Sequence, residues 1–587
     1  MKQEIKTHSK NSVQACQNCK KDFTIESEDF NFYEKIKVPP PTFCPECRLQ
    51  RRMTWRNDWH LFKKKDARTG EEIFSSLPEE SPVKIYDRDY WISDAWDPMK
   101  YGQEYDFGRS FFDQFKDLFH KVPLSAHSMY NIVNSHYCTN VGNLKNCYLV
   151  RGASYTEDSA YLIWDVASRE CFDSHMTQRC ELSYGNVNTI ACYKTFFSVD
   201  CESCQEMILG KNCVGCNSCI ASVGLRNKSY YIFNQPYSKE EYLKKLDEFN
   251  LGSHQDFQIL KNRAYKHWLN YPQKYIHGRQ NMKVSGDYIY ESKNAENCFR
   301  VTGIEDSKFI QNITFGPVKD CYDYSNFGQN AELVYESVVT GLGASNVKFC
   351  NQAYPNVKNL TYCAFCGHSS DLFGCVSLQK KQYCILNKQY VKEEYEKLTS
   401  KIIEQMKKTG EYGEFFPASL APFPYKITSA YEFFPLNEKE AKAKGFQWYE
   451  TAKQNYKITL KNKDIPDNIK NTDKDILNQI IECAHGESCQ HECTGAFRLI
   501  KTEFDFCKRM NIPLPRLCAN CRHYERVLLR NSPKLYHRQC MCDSAGSSFT
   551  TTSHGHKGRC PNEFETSYAP SRPEKIYCEK CYQQEVY

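Results

Sequence analysis

Cys192-Tyr-Lys-Thr-Phe-Phe-Ser-Val-Asp-Cys201-Glu-Ser-Cys204-Gln-Glu-Met-Ile-Leu-Gly-Lys-Asn-Cys213-Val-Gly-Cys216-Asn-Ser-Cys219 carries six cysteines in residues 192–219. Around it, from 126 to about 235, short apolar pieces alternate with Asn, Asp, Ser and Gly, and no apolar pattern at helical spacing survives. Cys171, Cys192 and Cys213 lie 21 residues apart, and Cys138, Cys180 and Cys201 fall on a second lattice of the same spacing, completed by Ser159 and Ser222. A period in the low twenties with short strands predicts a stacked parallel β-solenoid, in which residues of one lattice form an interior column. Protonated cysteine is small and apolar, and fills such a column well.

The pattern occurs twice. Tyr383-Cys-Ile-Leu-Asn387, followed by Tyr390-Val-Lys-Glu-Glu-Tyr395, repeats Tyr230-Tyr-Ile-Phe-Asn234 and Tyr237-Ser-Lys-Glu-Glu-Tyr242 at an offset of 153. Cys321, Cys363 and Cys384 again lie on a 21-residue lattice, with Leu342 in the missing place. Ser238 to Glu241 reads as a capping box that opens a helix behind the first copy. The cysteines at Cys201, Cys204, Cys213, Cys216, Cys219, Cys363 and Cys366 also have metal-compatible spacing, so packing and a metal or redox-sensing role both stand open there.

Outside this middle, the two ends resemble each other. Cys16-x2-Cys19 and Cys44-x2-Cys47 supply four thiolates from two knuckles, the donor set of a structural zinc. Residues 19–61 align without a gap onto 493–535, pairing Cys19 with Cys493, Cys44 with Cys518 and Cys47 with Cys521. Cys489 completes the C-terminal set with one extra residue in the first knuckle; Cys483, His485 and His491 are nearby alternatives. A second module follows at each end. Its C-terminal copy offers Cys578 and Cys581, Cys560, and either Cys540 or Cys542; its N-terminal copy has Asp87 and Tyr90 where the last pair stands, and is expected to hold no metal. Zn2+, about three per chain, is the expected cofactor. The polar loop from Thr550 to Arg559 reads as a contact loop or an insertion.

Arginines cluster beside the knuckles: Arg48, Arg52 and Arg56 at one end, Arg522, Arg526 and Arg530 at the other. Such clusters suit phosphate contacts with a nucleic acid, or else pair with acids and stack on Trp55 and Trp59.

The expected fold is multi-domain and mainly β, with zinc ribbons at both ends flanking two β-solenoids with helical caps and linkers. The boundaries are 1–100 for the N-terminal ribbon and its metal-free second module, 101–125 for an amphipathic helix, 126–237 and 286–390 for the solenoids, 238–285 and 391–482 for helical linkers, and 483–587 for the C-terminal tandem. In the last linker, Asp473 to Glu482 reads as a helix. The 587 residues fit about three to five domains. The polar N-terminus has no secretory apolar run, and no stretch approaches the roughly 18 apolar residues of a membrane span. With 32 cysteines, that predicts a reduced, cytoplasmic protein without membrane contact. A net charge of +6 excludes a polycation.

The pattern Cys-x2/3-Cys, Phe, Pro-x-Pro-x-[Phe/Leu]-Cys-x2-Cys-Arg-x3-Arg resembles the probable zinc-ribbon domains of uncharacterised bacterial proteins. The whole arrangement is similar to large cysteine-rich bacterial proteins, some labelled CoA-transferases of the CaiB/BaiF type; this chain shows no residues for that chemistry. The resemblance covers roughly the outer third and implies zinc binding there, but no known activity for the middle.

Three readings of function follow. The first is a non-enzymatic zinc protein that binds a macromolecule, a nucleic acid or a protein, with the solenoids as spacer or binding surface and no catalytic residues. The second is a β-helical enzyme acting on a carbohydrate or other polymer, with Asp158, Asp165, Asp173 and His175 on one face. The third is a metal or redox sensor using the solenoid cysteines.

Overall fold

The computed structural model describes residues 11–586, apart from 330, 451–455, 487, 488, 490, 544–555 and 557. The chain is mainly β and winds into a β-solenoid. From Thr139 onward, parallel bridges join Thr139 to Arg151, Gly142 to Ser154, Lys145 to Glu157 and Tyr148 to Ala160, so partners lie 12 residues apart. Every third residue adopts a left-handed conformation, as in Asn143 (φ 55°), Asn146 (φ 55°), Leu149 (φ 50°), Gly152 (φ 60°) and Tyr155 (φ 58°). Each such residue turns the chain by one corner, and four corners close a 12-residue coil. Asn, Asp and Gly take this conformation at low cost, whereas Leu149 and Tyr155 do so at a cost of about 1–2 kcal/mol each. The inter-coil ladder offsets it: Arg151 N–H bonds Leu162 O at 2.9 Å, and Trp164 N–H bonds Arg151 O at 2.9 Å.

The residue two places before each corner's left-handed residue faces inward. Val150, Ala153, Thr156, Ser159 and Leu162 are all buried. The period is therefore three along the chain and 12 around the coil, not 21. The 21-residue lattices are an alias: 21 is a multiple of three, so they join inward positions without stacking them. The true columns run at 12, as in Cys180, Cys192, Cys204 and Cys216, all buried. Leu342, placed inside by the longer lattice, is 42% exposed.

A second ladder of parallel strands runs from Gly278 to Ile385 and is closed by the antiparallel strand Lys388–Gln389. Ile289 pairs Val301 and Leu360 pairs Leu372 at 12 residues, while Gln311 pairs Ser325 at 14 and Val338 pairs Asn351 at 13. Its strands are longer and the spacing between paired residues less regular than in the first. Both ladders end alike. Asn234 bonds the N–H and C=O of Val223 through its amide at 2.8 Å each. Asn387 does so to Val376, at 2.8 and 2.9 Å. Each amide replaces the next coil, so the last backbone groups are not orphaned.

Helices cover the open faces. Lys239–Glu248 starts with the capping box of Ser238 and Glu241, and Phe111–Lys121 buries Phe111, Phe115, Leu118 and Phe119. Residues 473–482 do not form one helix: a short 3-10 turn, Lys474–Asn478, gives way to the strand Ile481–Glu482. That strand opens the C-terminal hairpin, and its edge bonds compete with a helix.

The end modules cross over. The N-terminal module docks on the second ladder, where Phe32 stacks on Tyr322 with ring centroids 3.9 Å apart. The C-terminal module docks on the first coil, where Phe506 meets Phe172 at 4.8 Å. Their second modules sit at the ladder starts: Ile85 pairs Leu124, and Ile576 pairs Gln273.

Candidate metal centres

At the N-terminus, the hairpin Ser12–Ala15 and Asp22–Ile25 holds Cys16 and Cys19 in its turn. The second knuckle is built differently from a hairpin. Cys44 caps the helix Pro45–Met53, whose first turn carries Cys47. Pro45 sits where a helix needs no N–H bond, and fixes the start. The four ligand atoms of Cys16, Cys19, Cys44 and Cys47 lie within 4.8 Å of one another. A tetrahedral zinc with Zn–S of about 2.3 Å sets sulfurs about 3.8 Å apart. Cys19 and Cys44 are 3.8 Å apart, so the cage fits such an ion.

At the C-terminus, Cys483, Cys493, Cys518 and Cys521 form the corresponding tetrad. Cys489 is not its first member. In the N-terminal module, Cys16 follows the first strand directly, and its Sγ accepts the N–H of Cys44 at 3.2 Å. In the C-terminal module, Cys483 follows Ile481–Glu482 directly, and its Sγ accepts the N–H of Cys518 at 3.2 Å. The residue after the strand defines the position, so Cys483 displaces Cys489. Spacing alone favoured Cys489; the strand before Cys483 was the missed signal. Cys489 instead groups with His485, His491 and Cys521.

The last module brings together Cys540, Cys560, Cys578 and Cys581. Cys540 Sγ accepts Cys578 N–H at 3.2 Å, which decides between Cys540 and Cys542 for this tetrad. Cys542 groups with His556 and Cys581. The loop from Thr550 to Arg559 lies mostly outside the described residues.

The second N-terminal module keeps the geometry with carboxylates, Asp66 and Asp87, in place of two of the cysteines. Asp66 follows the strand Phe62–Lys65 and accepts the N–H of Asp87 at 3.0 Å. Asp87 in turn caps the helix Arg88–Trp91, and Tyr86 packs edge-on against Tyr90 and Trp96.

In the tetrads, the thiol that caps each helix is the acidic one. Hydrogen bonding from Cys47 holds Cys44 down to about 5, against burial that raises it. Cys518 is held lower still by Cys483 and Cys521. A thiolate at a helix N-terminus is also favoured by the helix dipole.

The arginines beside the knuckles do not face solvent. Arg48, Arg52, Arg56, Arg522, Arg526 and Arg530 are all under 9% exposed. Arg48 and Arg52 share Asp323 Oδ1 at 2.9 and 2.8 Å, and Arg51 reaches Glu336 at 2.5 Å. Arg526 reaches Asp173 at 2.6 Å, and Arg522 reaches Glu503 at 2.6 Å. Arg56 binds Asp58 at 2.6 Å; Arg530 meets His175 Nε2 at 2.8 Å and Glu432 at 3.7 Å. The expected nucleic-acid contacts are thus internal clamps: the knuckle helices turn arginines toward the ladders, which supply Asp323, Glu336 and Asp173, while Asp58, Glu503 and Glu432 come from the end modules and the linker.

The residues considered for an enzyme are not gathered in one cleft. Asp173 and His175 lie in the arginine clamp. Asp165 is inside the coil, bonded to Thr156 at 2.6 Å and to Thr177, with burial raising its pKa. Asp158 bonds Asn146 at 2.8 Å on an outer corner. The coil cysteines are likewise engaged: Cys204 Sγ donates to Glu202 O at 3.3 Å and Cys213 O at 3.4 Å, much as Ser159 Oγ donates to Glu157 O at 2.7 Å.

A cleft of about 790 Å³ lies between the module of Asp66 and Asp87, the start of the first coil and the end of the second ladder. Trp91, Trp96, Tyr354 and Phe365 line it, with Lys380 and Lys381 at one side.

No family model matches this chain, and no curated protein matches it. Among the described residues, no helix is long and apolar enough to cross a membrane.

Proposed function

We propose that the chain is a zinc-stapled, non-enzymatic protein that binds a macromolecular partner in the cleft beside its metal-free module. Zinc in the tetrads closes ribbon-like modules, which lock two solenoids, copies of one unit, into a rigid body. The second N-terminal module has Asp87 and Tyr90 where its C-terminal counterpart has cysteines, and the cleft lies beside it. The cleft carries the reading: aromatic walls beside Lys380 and Lys381, neither in an ion pair among the described residues, suit an acidic segment with apolar side chains. The partner we favour is a protein. The nucleic-acid alternative has lost the arginines that motivated it.

The test places a photo-crosslinking amino acid at Tyr130, which lines the cleft and is 68% exposed, in the full chain expressed in its native cells. One discrete protein adduct, lost in the Lys380→Glu/Lys381→Glu variant, is expected. No adduct, or a nucleic-acid adduct, overturns the reading. The zinc part is tested separately by metal content after extensive dialysis.

A further inference from the structure

The two modules aligned at the chain ends differ most in the turn of their first hairpin. Cys16 and Cys19 are separated only by Gln17 and Asn18, whereas residues 484–492 stand between Cys483 and Cys493. That insertion carries His485, Cys489 and His491, and His491 stacks on Tyr524 of the knuckle helix. Their ligand atoms and Cys521 Sγ all lie within 4.8 Å of one another. Cys489 Sγ is 3.6 Å from Cys521 Sγ, and Cys483 Sγ is 3.8 Å from the same atom. Both distances match the about 3.8 Å between two thiolates on one tetrahedral zinc.

We propose that Cys521 bridges two metal ions: an inner zinc held by Cys483, Cys493, Cys518 and Cys521, and an outer zinc held by Cys521, Cys489, His485 and His491. The proposal rests on the zinc reading of the inner tetrad and adds a second ion to it. Each ion receives four ligands, and borderline-soft zinc accepts both imidazole and thiolate.

Three observations point to a ligand rather than to packing. The Nδ1 atom of His491 is buried and makes no hydrogen bond among the described residues, while its ring is fixed by stacking on Tyr524 at 5.4 Å. His485 Nε2 lies 4.0 Å from Glu525 Oε1, so a carboxylate stands near this imidazole, beyond direct hydrogen-bond distance. Charge also favours the pair. Four thiolates around one dication leave two negative charges, whereas five thiolates with two dications and two neutral imidazoles leave one.

The arrangement recurs at the last module, where the insertion between Cys540 and Cys560 brings Cys542 and His556 to Cys581, with His556 Nε2 3.4 Å from Cys581 Sγ. An insertion in the hairpin turn that reaches the final knuckle cysteine is thus shared by both C-terminal modules and absent from both N-terminal ones. The outer ligands His485, Cys489 and His491 are half-buried at the rim, while Cys518 and Cys521 are buried. The outer ion therefore exchanges more readily than the inner one.

The experiment compares full-length protein with a His485→Ala/His491→Ala variant, by zinc content and by cadmium-113 NMR after cadmium replacement. Two cadmium nuclei that share a thiolate show mutual scalar coupling. A coupled pair in the parent, lost in the variant together with one zinc per chain while the melting transition persists, is the expected result. Equal zinc in both proteins with no cadmium–cadmium coupling overturns the bridge and leaves the inner zinc standing. Absence of metal from Cys483, Cys493, Cys518 and Cys521 overturns both. Cys489→Ser provides the second variant: the same single-zinc loss is expected, and an unchanged count counts against the outer ion.

Discussion

Asp66 Oδ2 accepts the backbone N–H of Asp87 at 3.0 Å. The same bond joins Cys16 to Cys44, Cys483 to Cys518 and Cys540 to Cys578, each at 3.2 Å with sulfur as acceptor. All four modules share one joint between the residue after the first strand and the residue before the knuckle helix. In one of them a carboxylate does the joining in place of a thiolate. Asp66 also accepts from Arg68 N–H at 2.6 Å and is 1% exposed.

Asp66→Ala removes the buried carboxylate that accepts from the backbone amides of Arg68 and Asp87, and is expected to cost about 2 kcal/mol. If that module holds no metal, as its Asp87 and Tyr90 lead us to expect, the zinc content of the variant should equal the parent's. Urea denaturation with metal analysis checks both; a fall in zinc would mean that Asp66 is a ligand.

Cys483→Ser and Cys489→Ser should differ. The first breaks the inner tetrad and forfeits most of the stabilisation, about 10–16 kcal/mol for structural zinc in finger peptides, that such an ion gives to a small module. Limited proteolysis should then cut within residues 481–530. Cys489→Ser should leave that region protected. Equal proteolysis of the two variants would restore Cys489 to the inner set.

Arg52→Ala leaves Asp323, itself 0% exposed, with one buried partner fewer, and Arg526→Ala removes the 2.6 Å partner of Asp173. Removing one side of a buried pair costs about 3–5 kcal/mol. Lower unfolding midpoints are expected, with no change in any salt-dependent nucleic-acid binding. A variant of parental stability that lost such binding would return the arginines to the surface.

His127 is 7% exposed, and burial holds its pKa down to about 4, from 6.5. Between these values the unfolded chain binds the proton and the folded one does not. The stabilisation is thus full above pH 6.5 and lost as pH falls toward 4, by about 3 kcal/mol at most. His127→Gln should flatten the pH dependence of the denaturation midpoint over that window. A parallel curve would show that another group titrates.

Cysteines of the 12-residue column, Cys180 to Cys216, are buried at 2% exposure or less and donate to backbone carbonyls. A thiol reagent should leave them unmodified in the folded protein and reach them only at the rate of unfolding. Rapid native labelling of Cys204 would revive the sensing role.

How much of this was legible in the residues differs by element. Parallel coiling of the middle could be read from short apolar pieces, turn residues and inward cysteines, because a repeated environment selects repeated residue sizes. Its turn length could not. Within the first coil every inward position is a multiple of three from every other, so Cys171, Cys192 and Cys213 satisfy the 21-residue spacing as well as any other. Only the bridges, such as Thr139 to Arg151, show which multiple closes a turn. The metal sets were legible as cysteine pairs, since a tetrahedral ion demands close donors on tight turns. Cys483 was not, because its place depends on the strand before it.

By itself the sequence determined the paired knuckles at both ends, the loss of metal donors at Asp87 and Tyr90, and the coiled middle, all consequences of local spacing. Tertiary structure decided the fate of the charges. Arg48 and Arg52 read as an exposed basic cluster until Asp323, far along the chain, is brought beneath them at 2.9 and 2.8 Å. Whether a charge faces water or a buried partner depends on what packs over it, and residues far apart in the chain supply that packing.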